Sequence, residues 1–189
     1  MLTLTEPTFE QPVVLILEPV TVSPSVTVVV PGTTANIGPG FDCLGAALTL
    51  YNRFRFTEVD GDPGTVTIQV SGEEAHRVTT DTSNLAYQSF AHYFNSLQRP
   101  VPAVTIHIDL GVPLARGLGS SSTAIVGGLV AANSLAGHPL TTEALRDLAI
   151  TLEGHPDNVV PALVGGCQLA VAGTTGNWQL CPIPWHQDI

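Results

Sequence analysis

The stretch Pro113-Leu-Ala-Arg-Gly117-Leu118-Gly119-Ser120-Ser121-Ser122-Thr123-Ala124 decides how this chain folds. Before it, Val104–Leu110 is a short apolar run that reads as a strand. After it, Ser120–Leu135 opens on serines, is dense in Ala and Gly, and reads as a closely packed helix. A glycine-rich loop therefore joins a strand end to a helix start. Gly111, Gly117 and Gly119 let the backbone approach a ligand and adopt positive φ. Ser120, Ser121 and Ser122 stand where unpaired N–H groups and the positive end of the helix dipole gather, which suits an anion. The same composition also fits a Ser-capped helix that binds nothing. A nucleophilic serine is disfavoured: an acyl-transfer elbow wants G-x-S-x-G, and Thr123 stands where the second glycine belongs.

Working outward, Ser25–Val30 is β-branched and ends at Pro31-Gly32, so it reads as a strand entering a turn. Residues 46–58 alternate, with Tyr51, Arg53, Arg55 and Thr57 on one face and Leu50, Phe54 and Phe56 on the other, the pattern of a long half-buried strand. Gly61–Gly64 is a turn and Thr65–Val70 a strand, which together predict a hairpin over 46–70. Asn84–Leu97 carries Leu85, Ala86, Phe90, Phe94 and Leu97 at helical spacing, with Asp81, Thr82 and Ser83 available as caps. Thr141–Leu152 is a third helix and Gln168–Ala172 a further strand. This order lacks regular βαβ alternation, so the expected class is α+β, a mixed sheet with packed helices. Residues 1–24, with Pro7, Pro12, Pro19 and Pro24, predict a poorly structured extension holding at most a short strand at 13–17; the ordered domain is expected over 25–189.

Composition excludes several functions. The formal net charge is −10, and all the basic residues are arginines: Arg53, Arg55, Arg77, Arg99, Arg116 and Arg146. So acidic a chain repels phosphodiester backbones, and no nucleic-acid partner is expected. Without lysine there is no Schiff base and no Walker-type phosphate loop. Cys43, Cys167 and Cys181 are scattered and odd in number, and read as small buried hydrophobes in a reducing compartment. No signal peptide or membrane-length apolar run stands out, so a cytoplasmic location without a membrane partner is expected.

Two further strings concentrate polar groups. Pro31-Gly-Thr-Thr-Ala-Asn36-Ile-Gly38-Pro39-Gly40-Phe41-Asp42-Cys43-Leu44-Gly45 holds a carboxamide and a carboxylate at fixed spacing on a tight loop. A carboxylate so placed suits a substrate ammonium, although an Asn/Gly turn with Asp42 as a helix cap fits as well. Glu153-Gly154-His155-Pro156-Asp157-Asn158-Val159-Val160-Pro161-Ala162 follows the third helix and offers oxygen ligands of the kind Mg²⁺ prefers, or else a polar surface turn.

Taken together and in this order, the three strings resemble the homoserine kinases of the GHMP kinase superfamily. The P-x-x-x-G-L-G-S-S loop is similar to that superfamily's lysine-free phosphate loop. The strings around Asn36–Asp42 and His155–Asn158 are similar to two homoserine kinase motifs, with Gly32 standing where Ala is usual. The resemblance implies the GHMP kinase N-terminal domain, ribosomal protein S5 domain 2-like, and ATP-dependent phosphorylation of L-homoserine in threonine biosynthesis. It implies ATP contacts at Pro113, Leu114, Ala115, Arg116, Gly117, Leu118, Gly119, Ser120, Ser121 and Ser122. Asn84 joins them through a short Asn-Leu match, helix capping being an equal reading. It implies substrate contacts at Asn36, Asp42, His155 and Asp157. Mg²⁺ falls to Glu153 and Ser121, with Asp147 as the alternative carboxylate. Asn158 takes the catalytic position at which mevalonate kinases carry Asp, so an amide that is no base stands there. Another small-molecule GHMP kinase and a non-catalytic nucleotide-binding remnant are the competing expectations. Such kinases have a second domain that binds the substrate carboxylate. The chain is therefore expected to be a fragment, a truncated product or a half completed by a partner, and inactive alone; a homodimer is one assembly open to the complete enzyme.

Overall fold

The computed structural model describes residues 24–173 and 178–184. The extension expected at 1–24, with its strand at 13–17, lies outside them apart from Pro24. The elements are β1 (Ser25–Thr34), β2 (Leu44–Glu58), β3 (Val66–Ser71), α1 (Leu85–Ser96), β4 (Val104–Asp109), α2 (Ser120–Leu135), α3 (Thr142–Glu153), α4 (Pro156–Val164), β5 (Cys167–Ala172) and β6 (Trp178–Ile183). The architecture is α+β. The strands form one mixed sheet in which β3 and β4 are the parallel pair.

β2 organises the sheet. Along one edge it pairs antiparallel with β1, with a register break between Pro31 and Thr33. The other edge is shared: residues 53–58 pair with β4, and 44–46 with β5. The alternation within β2 follows the sequence in its second half, where Phe54 and Phe56 are buried and Arg53 and Arg55 exposed, but Leu50, expected on the buried face, is exposed because the core does not reach that end of the strand. The hairpin expected over 46–70 does not form. Both edges of β2 are taken, and β4 lies between β2 and β3. The connection after β2 instead bonds to the approach to β4, through Val59 N–H to Ala103 O and Gly64 N–H to Val101 O.

The core lies on the face that carries Val26, Val28, Val30, Phe54, Phe56, Val104, Ile106 and Ile108, under α1 and α2. Phe90 of α1 stacks on Phe56 with ring centroids 5.0 Å apart. α2 packs more closely than an ordinary helix could. A Cβ on Gly127 would meet Phe54 at 2.6 Å, and one on Gly128 would meet Ala86 O at 2.3 Å. The dense Ala and Gly content of this helix thus has a packing cause.

Two elements are additions to the sequence reading. α4 occupies part of the polar string whose alternative reading was a surface turn. It starts with Pro156 in its first turn and His155 as N-cap, and it carries Pro161 inside. β6 adds an edge to β5. Of the cysteines only Cys167 is buried, and burial pushes its thiol pKa up; Cys43 is half-buried and Cys181 exposed, so the buried-hydrophobe reading holds for Cys167 alone.

Candidate active site

The Gly-rich loop leaves β4, crosses the sheet end and enters α2 at Gly119, whose φ of 61° is left-handed. Its path is held from outside at several points. Thr33 N–H donates to Leu118 O at 3.0 Å. Leu114 N–H donates to the Glu74 carboxylate at 2.7 Å, and Arg77 pairs with the same carboxylate. The Leu114 bond, then Arg77 and the nearby Arg116, hold Glu74 below its ordinary carboxyl range.

A sign follows. A carboxyl whose folded pKa is depressed stabilises the fold above its unfolded value, and that contribution is lost as pH falls through the folded value. An NMR titration of the Leu114 amide should have its midpoint below 4.5, the ordinary carboxyl value. In Glu74→Gln the movement should vanish. A midpoint at or above 4.5 would mean that Glu74 is not its partner.

The loop closes one side of a cavity of about 680 Å³. Around it the fold gathers Asn36, Asp42, Asn84, Leu114, Ala115, Arg116, Gly117, Leu118, Gly119, Ser120, Ser121, Ser122, Glu153, Asp157 and Asn158. The exceptions among the expected residues are Pro113 and His155. Pro113 faces a separate depression behind the loop with Glu73, Glu74 and Arg116. His155 caps α4, lies against Trp178 at 5.1 Å between ring centroids, and places Nδ1 3.1 Å from Asp157 Oδ1. It touches the cavity lining at Asp157.

Glu153 ends α3 beside the start of α2, where the Ser121 and Ser122 hydroxyls donate to its Oε1 at 3.2 and 3.3 Å. Asp147, by contrast, is exposed, pairs with Arg146, and does not line the cavity. Asn158 accepts at Oδ1 from the Thr33 hydroxyl at 2.8 Å and donates from Nδ2 to Asp157 Oδ1 at 3.1 Å. The two bonds fix which way the amide faces. Asp42 stands after a 3-10 turn over Gly38–Gly40 with φ 60°, a left-handed conformation that Asp and Asn tolerate better than most residues. The helix-cap reading of Asp42 fails, because no α-helix follows it.

Asn84 is spent on capping: Oδ1 accepts from Ala86 and Tyr87 N–H, and Nδ2 donates to Thr79 O at 2.7 Å. Asp81 turns back on Ser83 instead of capping α1. Arg77, Val78, Thr79 and Ser83 also line the cavity, and sequence reading missed them along with Thr33. For the segment 77–83 the available signal was its place just ahead of a capped helix.

Residues 84–166 match the family model described as the GHMP kinases N terminal domain. The chain is 62% identical over 165 residues to a homoserine kinase of Crocosphaera subtropica, which covers 87% of this chain and 53% of that protein. Its fold is similar to the crystal structure of homoserine kinase from Cytophaga hutchinsonii, with TM-score 0.75 and 28% identity over 89% of this chain and 54% of that one. It is also similar to a putative homoserine kinase from Listeria monocytogenes, with TM-score 0.68 and 33% identity over 83% and 53% of the two chains. The chain spans about half the length of the curated relatives it matches. A lysine-free glycine loop feeding a buried helix is matched in sequence over residues 84–166 and in three dimensions, so the described residues have the fold of the GHMP kinase N-terminal domain.

Proposed function

We propose that this chain carries the nucleotide-binding half of an ATP-dependent kinase that phosphorylates the side-chain hydroxyl of L-homoserine, giving O-phospho-L-homoserine for threonine biosynthesis. The observation that carries the reading is the convergence of three separate strings, Asn36–Asp42, Leu114–Ser122 and Glu153–Asn158, on one cavity. In this reading the loop N–H groups and the N-terminus of α2 receive the phosphates. Asp42 takes the substrate ammonium, and Asn36 and Asp157 border the substrate beside it. The relatives that carry the name homoserine kinase support the choice of substrate.

The donors at Glu153 and Ser121 fit Mg²⁺, being hard oxygens already drawn together at the mouth of α2. Glu153 and Ser121 would hold the ion, which would supply positive charge to offset that of the phosphates. Asn158 cannot take the hydroxyl proton, because its oxygen is a neutral amide acceptor already engaged by Thr33. Its role is to hold Asp157 and the acceptor end of the cavity in place, so that rate comes from positioning and electrostatics.

The test is Asp42→Asn in the full gene product, followed by coupled ADP release. Asn is at ease in the left-handed conformation, so the substitution removes charge and leaves the backbone alone. KM for homoserine should rise by roughly one to two decades with ATP affinity unchanged, as expected for a lost charge-assisted contact. An unchanged KM, or mevalonate accepted in place of homoserine, would overturn the assignment.

A further inference from the structure

Asn52 is the first buried residue of the run Asn52, Phe54, Phe56 on the inward face of β2, where the alternation asks for an apolar residue. Its side chain is buried, with 1% of its surface exposed. Both polar atoms of its amide are taken up by the protein. Oδ1 accepts from Gly111 N–H and Val112 N–H, each at 2.9 Å. Nδ2 donates to Thr123 Oγ1 at 2.8 Å. Thr123, fully buried, passes the link on by donating its hydroxyl to Ser120 O at 2.7 Å. One carboxamide therefore fastens both ends of the glycine loop: the point where the chain leaves β4 and the first turn of α2.

We propose that Asn52 and Thr123 form a buried clamp that sets the glycine loop in its phosphate-receiving shape before the nucleotide arrives. They are positioning residues, and the inference rests on the ATP-binding reading above. Core packing does not explain the amide, since an apolar residue would fill the same space without a desolvation cost. The loop it fastens does explain it. Gly117 and Gly119 both sit at positive φ, and a loop with that freedom loses entropy whenever a ligand orders it. Holding its two ends beforehand removes part of that cost from binding. A carboxamide fits the task because two backbone N–H groups need an acceptor on one side while a hydroxyl needs a donor on the other.

The test uses the 189-residue chain titrated with ATP by calorimetry, with hydrogen exchange over residues 111–123 and thermal melts alongside. Thr123→Val keeps the shape and removes the hydroxyl; Thr123→Ser keeps the hydroxyl. Thr123→Val should weaken ATP roughly tenfold and speed exchange in the loop of the ligand-free protein, while Thr123→Ser stays within about twofold of the original, because the buried hydroxyl makes both the Asn52 and the Ser120 bond. ATP bound equally well by Thr123→Val, or as poorly by Thr123→Ser as by Thr123→Val, overturns the clamp. Should Thr123→Val not fold, the unsubstituted chain still decides. Gly111 and Val112 amides must exchange as slowly as those of Ile106 and Ile108 before ATP is added, and fast exchange there overturns the proposal. An unsubstituted chain that binds no ATP would instead count against the kinase reading, with the exchange data still judging the clamp.

Discussion

Gly119→Val is expected to lower ATP affinity by at least roughly a hundredfold, the largest single effect in the nucleotide half of the site. Two costs combine. The residue sits at φ 61°, which a β-branched side chain adopts only under strain. Its Cβ would also stand 2.0 Å from Thr33 Oγ1 and 3.2 Å from Asn158 Oδ1. The obstruction therefore falls on the Thr33–Asn158 pair and not in the open space of the cavity. The strain should unseat the first turn of α2 and release the amide of Asn158 together. Calorimetric titration with ATP, next to a melt showing that the variant is folded, is the check. An affinity within threefold of the original would mean that the entry to α2 does not shape the phosphate site.

Gly45→Ala is expected to reduce homoserine phosphorylation about a hundredfold or more while ATP affinity stays nearly constant. A Cβ at Gly45 would lie 1.7 Å from the backbone oxygen of Asp157 and 3.1 Å from Pro161. Backbone cannot rotate out of the way as a side chain can, so α4 must shift by roughly 1 Å or the start of β2 must yield. A displacement of that size at a reacting centre costs on the order of two decades in rate. Overpacking of this kind also costs about 1–3 kcal/mol, which lowers the melting temperature by roughly 2–10 °C in a domain of this size. The glycine loop approaches the cavity from a different strand, so calorimetry should separate the two effects. Unaltered turnover in the full gene product would show that the position of α4 is immaterial to the reaction.

Local signals made much of this legible. The alternation around Phe54 and Phe56 identified β2, and the glycine loop ahead of Ser120 located α2 to the residue. What sequence could not supply was pairing. Val104–Asp109 carries the same alternation as Val66–Ser71, and nothing local says that the later strand lies next to β2. α4 was hidden because His-Pro-Asp-Asn has the residues of a turn and Pro161 breaks the helical pattern; Pro156 in the first turn was the signal against that reading. Asn52 was passed over because one polar residue in an alternating run looks like noise until its partners, more than fifty positions away, are seen.

The glycine pair in α2 has a mechanical consequence. With Phe54 and the Ala86 carbonyl pressed where side chains would otherwise stand, the helix cannot slide along its axis or roll without striking β2 or α1. It behaves as a fixed post, with sheet and first helix as its socket. Whatever yields when a ligand enters or leaves must be found elsewhere around the cavity mouth. The turn ahead of β2 is less evenly packed: Gly38 has no neighbour within 4 Å of the position its Cβ would take and Phe41 stands 60% exposed, whereas Gly40 is buried against Leu44. The glycine loop therefore enters a fixed helix, while Asp42 is carried by a separate turn ahead of β2.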